Sequence, residues 1–316
     1  MKEPVSLKKM SKRDLLSLHD LTAQEILDLI TRGRAFKAHS GPALDRPPLK
    51  GKTLGLLFEK ASTRTRVSFE VALSQLGGHS IFLSMEDLQL RRGETIPDTA
   101  RVLSRYLDGL VIRTFGQDTL AEWAHAASIP IINGLTDLHH PCQALGDLLT
   151  LHERFGMVKG LKLAYVGDGN NVAHSLIEGA VKVGMNISLA CPKGYEPDQA
   201  IVKAAQQEAR RTGGSIELAK DPHKAASGAD VLYTDVWVSM GKEREAKRRL
   251  KLLKPYQINA RLLAATKPHA VVMHCLPAHR GQEITAEVMD GPRSIVWDQA
   301  ENRLHIQKAI LEWLLG

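Results

Sequence analysis

Short apolar runs alternate with amphipathic helical segments along almost the whole chain, and this alternation restricts the fold more than any other feature. Nine runs have the length and residue types of buried strands: 53–58, 79–84, 108–115, 129–133, 161–167, 186–191, 230–237, 269–276 and 294–298. Helical periodicity fills the gaps, for example over 22–39 and 198–213. Buried strands with intervening helices form parallel sheets covered on both faces, so the pattern predicts an α/β protein.

The predicted strands fall into two series, with a helix expected over 140–156 between them. We therefore predict two doubly wound parallel-sheet domains, at 1–150 and 151–300, with the active site in the cleft between them. We expect the helix at 301–316 to pack back on the first domain. Ligands of such sheets bind at the carboxyl ends of strands, where helices begin.

The composition is that of an ordinary soluble globular protein, with 43% hydrophobic and 24% charged residues. We expect no membrane span, because no apolar run reaches about eighteen residues, and no secretory signal, because the N-terminus lacks a continuous apolar stretch. The three cysteines, Cys142, Cys191 and Cys275, form no C-x-x-C pair. They indicate a reducing compartment and neither a disulfide framework nor a metal site, so we expect a cytoplasmic protein.

The net charge of +7 is compatible with nucleic-acid binding. Much of the excess lies in 241–254, where acidic residues and leucines interleave with the basic ones, and aromatic residues make up only 5% of the chain. A solvated amphipathic segment explains this charge better than an RNA-binding surface does. A small anionic substrate suits the basic excess equally well, so we expect no nucleic-acid partner.

The segment FEKASTRTRVSFE (58–70) concentrates hydrogen-bond donors where a predicted strand is followed by a helix. Free N–H groups and the helix dipole favour an anion at a helix start, and hydroxyl and guanidinium groups match phosphate oxygens. An N-cap with incidental arginines is the alternative, but a cap requires only one hydroxyl. The segment therefore predicts a phosphate site, although it lacks the P-loop frame.

Seven motifs, taken in chain order, resemble those of the aspartate/ornithine carbamoyltransferase family. They are FEKASTRTRVSFE (58–70), IRTFG (112–116), HPCQALGD (140–147), GDGNNVAHSL (167–176), DVWVSMG (235–241), HCLPAHRG (274–281) and DQAENR (298–303). The motifs SMG and HCLP resemble the ornithine-type members of the family. The resemblance covers nearly the whole chain. It implies carbamoyl transfer from carbamoyl phosphate to the δ-amine of ornithine, without a cofactor.

The resemblance also implies roles for individual residues. It assigns carbamoyl-phosphate binding to Ser62, Thr63, Arg64, Thr65, Gln89, Arg113, His140, Pro141, Cys142, Gln143, Cys275, Leu276 and Arg303. It assigns ornithine binding to Asn171, Asp235, Ser239 and Met240, with Asp235 on the α-ammonium and 239–241 as a mobile lid. Four of these residues are catalytic candidates: Arg64, Arg113, His140 and Cys275. We expect Cys275 to position the amine and not to act as a covalent nucleophile, because a buried cysteine is usually inert.

Two structural expectations follow from the family resemblance. The peptide bond between Leu276 and Pro277 should be cis. The loop that carries Gln89 should reach the phosphate site of a neighbouring subunit, so that sites are shared in a homo-oligomer built from trimers. The pathway direction and the oligomer size beyond the trimer stay open.

The expected reaction is attack of the neutral δ-amine on the carbamoyl carbon, followed by departure of phosphate. Because an alkyl amine has a pKa of about 10.4, the site must favour its deprotonated form by desolvation or nearby positive charge. No side chain stands out as a general base, and phosphate itself is a candidate proton acceptor.

Two other kinds of enzyme are alternatives. Putrescine or an N-modified ornithine is the nearest alternative acceptor, but putrescine has no α-ammonium for Asp235. A dinucleotide-binding dehydrogenase is suggested by Gly167 and Gly169 after a predicted strand. That interpretation is weak, because Val172 stands at the third glycine position and no acid ends the next strand.

Overall fold

Two all-parallel sheets form the frame of the molecule in the computed structural model, which describes residues 12–38, 47–239, 241 and 243–316. The first sheet has the order β2-β1-β3-β4 and contains β1 (Thr53–Phe58), β2 (His79–Ser84), β3 (Gly109–Arg113) and β4 (Ile131–Leu135). The second has the order β7-β6-β5-β8-β9 and contains β5 (Lys162–Val166), β6 (Asn186–Ala190), β7 (Ser215–Ala219), β8 (Val231–Thr234) and β9 (Val271–His274). The predicted fold class, α/β with two parallel sheets, is confirmed.

Helices connect the strands and cover the faces of the sheets. They are α1 (Ala23–Ala38), α2 (Thr63–Gln75), α3 (Ile96–Leu103), α4 (Gln117–Ala126), α5 (Pro141–Phe155), α6 (Asn171–Lys182), α7 (Gln199–Thr212), α8 (Pro222–Ala226), α9 (Ala246–Leu253), α10 (Ala260–Ala264), α11 (Ala286–Met289) and α12 (Val296–Leu315). Short 3-10 turns lie at Gln89–Arg92, Glu243–Glu245 and Lys254–Tyr256. Among the described helices, none combines the length and apolar character that a membrane crossing requires.

One apolar cluster extends through both halves of the molecule. It includes side chains from the first sheet, α5, the second sheet and α12, among them Leu56, Ile132, Leu148, Tyr165 and Ile310. The helix α5 leads from the first sheet to the second and continues to Phe155, so residue 150 lies inside it. The last helix, α12, packs against α1, α2 and α5.

The predicted strands contain two errors. At 294–298, only Ser294 forms a bridge, to Val272, and α12 begins two residues later. The side chains of Val296, Gln299 and Arg303 are all buried, and their spacing follows the helical period. The strand β7 was not predicted, because its sequence SIELA alternates with polar residues and the strand lies at the exposed edge of the second sheet.

Each sheet reverses its strand order at one point, next to the first strand of that sheet in the chain. In the first sheet the reversal falls between β1 and β3, and in the second between β5 and β8. Helices leave such a point toward opposite faces and open a crevice beyond the carboxyl ends of the strands. The loops that follow β1, β3, β5 and β8 are therefore where the fold predicts ligand contacts.

Candidate active site

The first part of the site is the start of α2, directly beyond the end of β1. Ser62 caps this helix, because its Oγ accepts a hydrogen bond from the backbone N–H of Thr65 at 3.3 Å. Thr63 and Arg64 are exposed, whereas Thr65 is buried. The first turn of a helix has N–H groups without intrahelical partners, so the predicted anion-binding geometry is present here.

Arg113 and His140 extend the site from the neighbouring strand and from the start of α5. The pairing of β3 with β4 shifts at Arg113, and such a bulge changes the direction of a side chain. Arg113 is buried, and its Nε has no hydrogen-bond partner. His140 is also buried with an unpartnered Nδ1, while its backbone N–H donates to Ser175 Oγ at 2.8 Å.

Arg303 on α12 connects α2 and α5 through hydrogen bonds. It donates from Nη1 to Gln143 Oε1 at 2.6 Å and from Nη2 to Thr65 Oγ1 at 2.9 Å. Its Nε is buried and unpartnered, like that of Arg113. Because the guanidinium bonds to both α2 and α5, it ties the predicted phosphate and carbamoyl contacts to one rigid group.

The positive charge of this cluster has no carboxylate partner. Among the ion pairs of the described residues, none includes Arg64, Arg113 or Arg303. Burial, followed by the charges of Arg303 and Arg64, lowers the pKa of Arg113 to about 10. Burial and the three guanidinium groups hold the pKa of His140 well below its ordinary value, so its imidazole is neutral at pH 7. The pocket is therefore complementary to a small dense anion.

A buried carboxylate lies on the opposite side of the crevice, at the end of β8. Asp235 accepts hydrogen bonds from Cys275 Sγ at 2.8 Å, from Asn170 Nδ2 at 2.7 Å and from the N–H of Val236 at 2.7 Å. All three donors are neutral, and no cation of the described chain pairs with this carboxylate. Burial, and then the charge of Asp235, raises the pKa of the Cys275 thiol well above its ordinary value. The thiol is therefore protonated and unsuited to nucleophilic attack.

Asp235, His274 and Cys275 also form the group best suited to a metal ion within the described residues. Their ligand-type atoms lie within 4.8 Å of one another. Hydrogen bonds already engage both ring nitrogens of His274, since Nδ1 accepts from the N–H of Leu276 and Nε2 lies 3.1 Å from Glu283 Oε1. A metal ion would have to displace these bonds.

Leu276 connects the two sides of the crevice. The predicted cis bond to Pro277 is confirmed, and Leu276 itself has a positive φ of 59°. This conformation is uncommon for a residue other than glycine. The Leu276 carbonyl accepts a hydrogen bond from Arg64 Nη2 at 2.6 Å, so the chain directs this carbonyl into the crevice.

Asn171 and Pro141 each begin a helix, α6 and α5 respectively. The side chain of Asn171 donates from Nδ2 to the carbonyl of Thr136 at 2.6 Å, and Pro141 is the first residue of α5. Ser239 is partly buried in the loop after β8, and Met240 lies outside the described residues.

Two predicted contacts are not joined to the cluster. Gln89 is exposed on its 3-10 turn, and its side chain makes no hydrogen bond within the described chain. Cys142 turns its thiol into the core toward the carbonyl of Asn133, and burial raises the pKa of that thiol to about 12. A ligand contact of Cys142 would therefore have to use its backbone.

The glycines of GDGNN are explained by packing without a dinucleotide. Gly167 has a φ of +140°, and a Cβ on Gly169 would lie only 2.3 Å from the backbone nitrogen of Pro197. The start of α6 is capped by Asn170, whose Oδ1 accepts from two backbone N–H groups. Backbone conformation and packing therefore account for both glycines, and a side chain caps the helix start. A bound pyrophosphate is not needed to explain this turn.

One residue of the basic segment also has a structural role. Arg249 is buried, forms an ion pair with Asp168 and donates from Nε to the carbonyl of Trp237 at 2.5 Å. Its charge is therefore unavailable to a nucleic acid.

The chain matches two family models in succession. Residues 13–153 match the carbamoyl-P binding domain of aspartate/ornithine carbamoyltransferase, and residues 159–314 match its Asp/Orn binding domain. The chain belongs to the aspartate/ornithine carbamoyltransferase family. The family resemblance inferred from the motifs is thereby confirmed.

Individual relatives in this family are similar over almost their whole length. The ornithine carbamoyltransferase of Gloeobacter violaceus is 58% identical over 303 residues, which are 96% of each chain. The structure of the Pyrococcus furiosus ornithine carbamoyltransferase is 53% identical, with a TM-score of 0.93 over 97% of this chain and 98% of that one. An acetylornithine transcarbamylase, solved with acetylcitrulline, is 33% identical, with a TM-score of 0.86 over 96% and 99%.

Four residues that contact the predicted site, directly or through Asp147, were not identified from the sequence: Asp147, Asn170, Ser175 and Gln299. All four lie inside motifs typical of the carbamoyltransferase family. Most of their partners, however, are distant in sequence, as with Ser175 and His140. The motifs could have drawn attention to these residues, but their hydrogen-bond partners are evident only from the fold.

The uncompensated positive charge predicts stabilisation by phosphate. Inorganic phosphate should raise the melting temperature of the wild-type protein, because a ligand at 100 times its Kd adds about 2.7 kcal/mol to stability. Arg64→Ala should lose most of this shift. The matched control is Arg101→Ala, which removes an exposed arginine that pairs with Asp98 on the same helix, α3. Differential scanning calorimetry with and without phosphate checks this, and an undiminished shift in Arg64→Ala would contradict the assignment.

Proposed function

We propose that this protein transfers the carbamoyl group of carbamoyl phosphate to the δ-amine of L-ornithine, giving L-citrulline and phosphate. One observation carries the proposal. Arg113 and Arg303 are buried without a carboxylate partner among the described residues, and across the crevice Asp235 is buried without a cation partner among them. The first suits a phosphate ester and the second an ammonium group. The relatives at 53–58% identity named ornithine carbamoyltransferase support this choice of substrates.

The phosphate end of the donor binds at the start of α2. The groups that hold it are Ser62, Thr63, Arg64, Thr65 and Arg113, with Gln89 supplied by a neighbouring subunit. Arg64 gains importance as the leaving phosphate gains charge, because charge-assisted bonds strengthen with the charge of the acceptor. Preorganised donors of this kind contribute to the rate without reorganising during the reaction.

The carbamoyl group lies between α5 and the loop after β9. Arg113 and the neutral imidazole of His140 donate to the carbamoyl oxygen and stabilise the tetrahedral oxyanion. Gln143 and the carbonyls of Cys275 and Leu276 accept from N–H groups of the reactants. Pro141, Cys142 and Arg303 complete this wall of the pocket.

The amino acid end binds at the loops after β5 and β8. Asp235 pairs with the α-ammonium, and Asn171, Ser239 and Met240 contact the remaining polar groups and close the site. The protonated Cys275 positions the reacting amine. Nearby positive charge and desolvation favour the neutral δ-amine over its usual ammonium form, whose pKa is about 10.4.

The transfer balances without a cofactor. The δ-nitrogen forms a bond to the carbamoyl carbon, the bond from that carbon to the bridging phosphate oxygen breaks, and the proton of the amine passes to phosphate. Orientation of the two substrates supplies much of the rate, because no side chain among the described residues is assigned as a general base.

We further infer that residues around the first sheet form a carbamoyl-phosphate-binding domain and those around the second an ornithine-binding domain, with the boundary near residue 150. The matched segments 13–153 and 159–314 support this division, and the packing of α12 on α1, α2 and α5 supports its return to the first domain. We propose a cytoplasmic homo-oligomer built from trimers. The name of the Pyrococcus furiosus relative, an anabolic enzyme, supports action in arginine biosynthesis.

The acceptor is tested by measuring the carbamoylated product that forms from carbamoyl phosphate with ornithine, acetylornithine, putrescine or aspartate. Ornithine should give the highest kcat/KM. Asp235→Asn should weaken the reaction with ornithine by about 2–5 kcal/mol in kcat/KM, because it removes one partner of a buried charge pair. Putrescine has no α-ammonium and should lose far less.

The control for this substitution is Asp198→Asn, which changes an exposed N-cap on α7 to another good cap. It should leave the preference between acceptors unchanged. An equal loss toward ornithine and putrescine in Asp235→Asn would show that Asp235 acts on the chemistry or the fold. Preferred turnover of another acceptor by the wild type would contradict the proposed substrate.

Shared sites predict complementation between two defective chains. Gln89→Ala and Arg64→Ala proteins, each weakly active, should partly recover activity when they are dissociated, mixed and reassembled. Some hybrid trimers would contain a site with one intact surface from each chain. Native mass spectrometry would confirm the hybrids, and hybrids without recovered activity would place Gln89 outside the neighbour's site.

A further inference from the structure

Asp147 is a buried carboxylate one helical turn beyond Gln143 on α5. It is fully buried where α5, β8 and α12 meet. Gln143 Nε2 and Gln299 Nε2 donate to its Oδ1 at 2.8 Å and 2.7 Å, and the hydroxyl of Tyr233 donates to its Oδ2 at 2.9 Å. Three neutral donors thus converge on one acidic side chain.

This arrangement determines how both glutamine amides are turned. An ionised carboxylate only accepts hydrogen bonds, so each amide must present its NH₂ group to Asp147. The amide oxygens then point away: Gln143 Oε1 accepts from Arg303 at 2.6 Å, and Gln299 Oε1 accepts from the N–H of His274 at 2.9 Å. A reversed amide would place NH₂ against these donors.

We propose that Asp147 is a positioning residue that holds the oxygen of Gln143 toward the reaction site, where it accepts an N–H from the carbamoyl group. Asp147 thereby makes the site selective for a carbamoyl phosphate over an acyl phosphate of the same shape that has no NH₂. This inference rests on the proposed function, because it requires carbamoyl phosphate at this site.

The ionisation of Asp147 gives the proposal a pH signature. Burial is the main cause that raises the pKa of Asp147 to about 6. Tyr233 and Cys275 stay protonated, because burial raises the pKa of each well above its ordinary value, and the nearby charged group is Arg303. The orienting carboxylate is therefore present above pH 6 and is lost as the pH falls through about 6.

The test compares two ligands that differ at the proposed contact. Carbamoyl phosphate carries NH₂ where acetyl phosphate carries a methyl group, so their Kd ratio reports the acceptor oxygen of Gln143. Asp147→Asn should weaken carbamoyl phosphate by about tenfold or more, the effect of one lost hydrogen bond in a buried site, and acetyl phosphate by less than about threefold. Calorimetric titration at pH 7.5 measures both constants.

Two further variants separate positioning from a general structural effect. Tyr233→Phe removes one donor to Asp147 but leaves both amides in place, so the ligand ratio should stay within about threefold of the wild-type value. The double variant Gln143→Glu/Asp147→Asn exchanges the donor and acceptor while keeping the total charge. It again places an acceptor oxygen toward Arg303, and it should recover much of the selectivity lost in Asp147→Asn.

Equal weakening of both ligands in Asp147→Asn, or no weakening of carbamoyl phosphate, would overturn the proposal. If that variant does not fold, the wild-type ratio measured between pH 7.5 and pH 5 decides. It should fall toward the acid end, and a constant ratio would overturn the proposal. Wild-type protein that neither binds carbamoyl phosphate nor forms citrulline would instead refute the proposed function.

Discussion

The buried positive charge of Arg113 and Arg303, with Arg64 at the rim, is the constraint on which the rest of the site depends. Burying an ion costs several kcal/mol unless other groups compensate for the lost water. Arg303 is partly compensated by Gln143 and Thr65. Arg113 keeps an unpartnered Nε. The pocket therefore suits a bound anion, which would compensate for the lost hydration. Burial, together with the same positive charges, keeps His140 neutral.

Three polar contacts hold the two halves of the crevice together near this charge. Arg64 reaches the carbonyl of Leu276, the N–H of His140 reaches Ser175, and Asn171 reaches the carbonyl of Thr136. Each contact joins a segment that follows a first-sheet strand to a segment that follows a second-sheet strand. The sites proposed for the two substrates are thus set at a fixed separation, which is what a reaction governed by orientation requires.

The sequence predicted the features that depend on local patterns. Eight of the nine observed strands and the start of α2 could be located, because buried strands are continuous apolar runs and helix starts collect small polar residues. The edge strand β7 was missed, since its sequence alternates, and a strand was wrongly expected at 294–298. In both cases tertiary packing decided the outcome, because β7 pairs with β6 at the sheet edge and Val296 begins a buried face of α12.

The site was only partly predictable for a similar reason. Motifs located Arg113, His140 and Asp235, which lie at strand ends and helix starts. The roles of Asp147 and Ser175 depend on partners outside their own segments, such as Tyr233 from β8 and Gln299 from α12. Such contacts form only when distant segments of the chain pack together, so no local sequence pattern predicts them.

The most direct test of the central claim is a crystal structure with a phosphonoacetyl group joined to the δ-nitrogen of ornithine, since this single molecule imitates both substrates. We predict the phosphonate at the start of α2, the acyl oxygen beside Arg113 and His140, and the α-ammonium on Asp235. A phosphonate bound away from the arginines, or an α-ammonium bound away from Asp235, would contradict it.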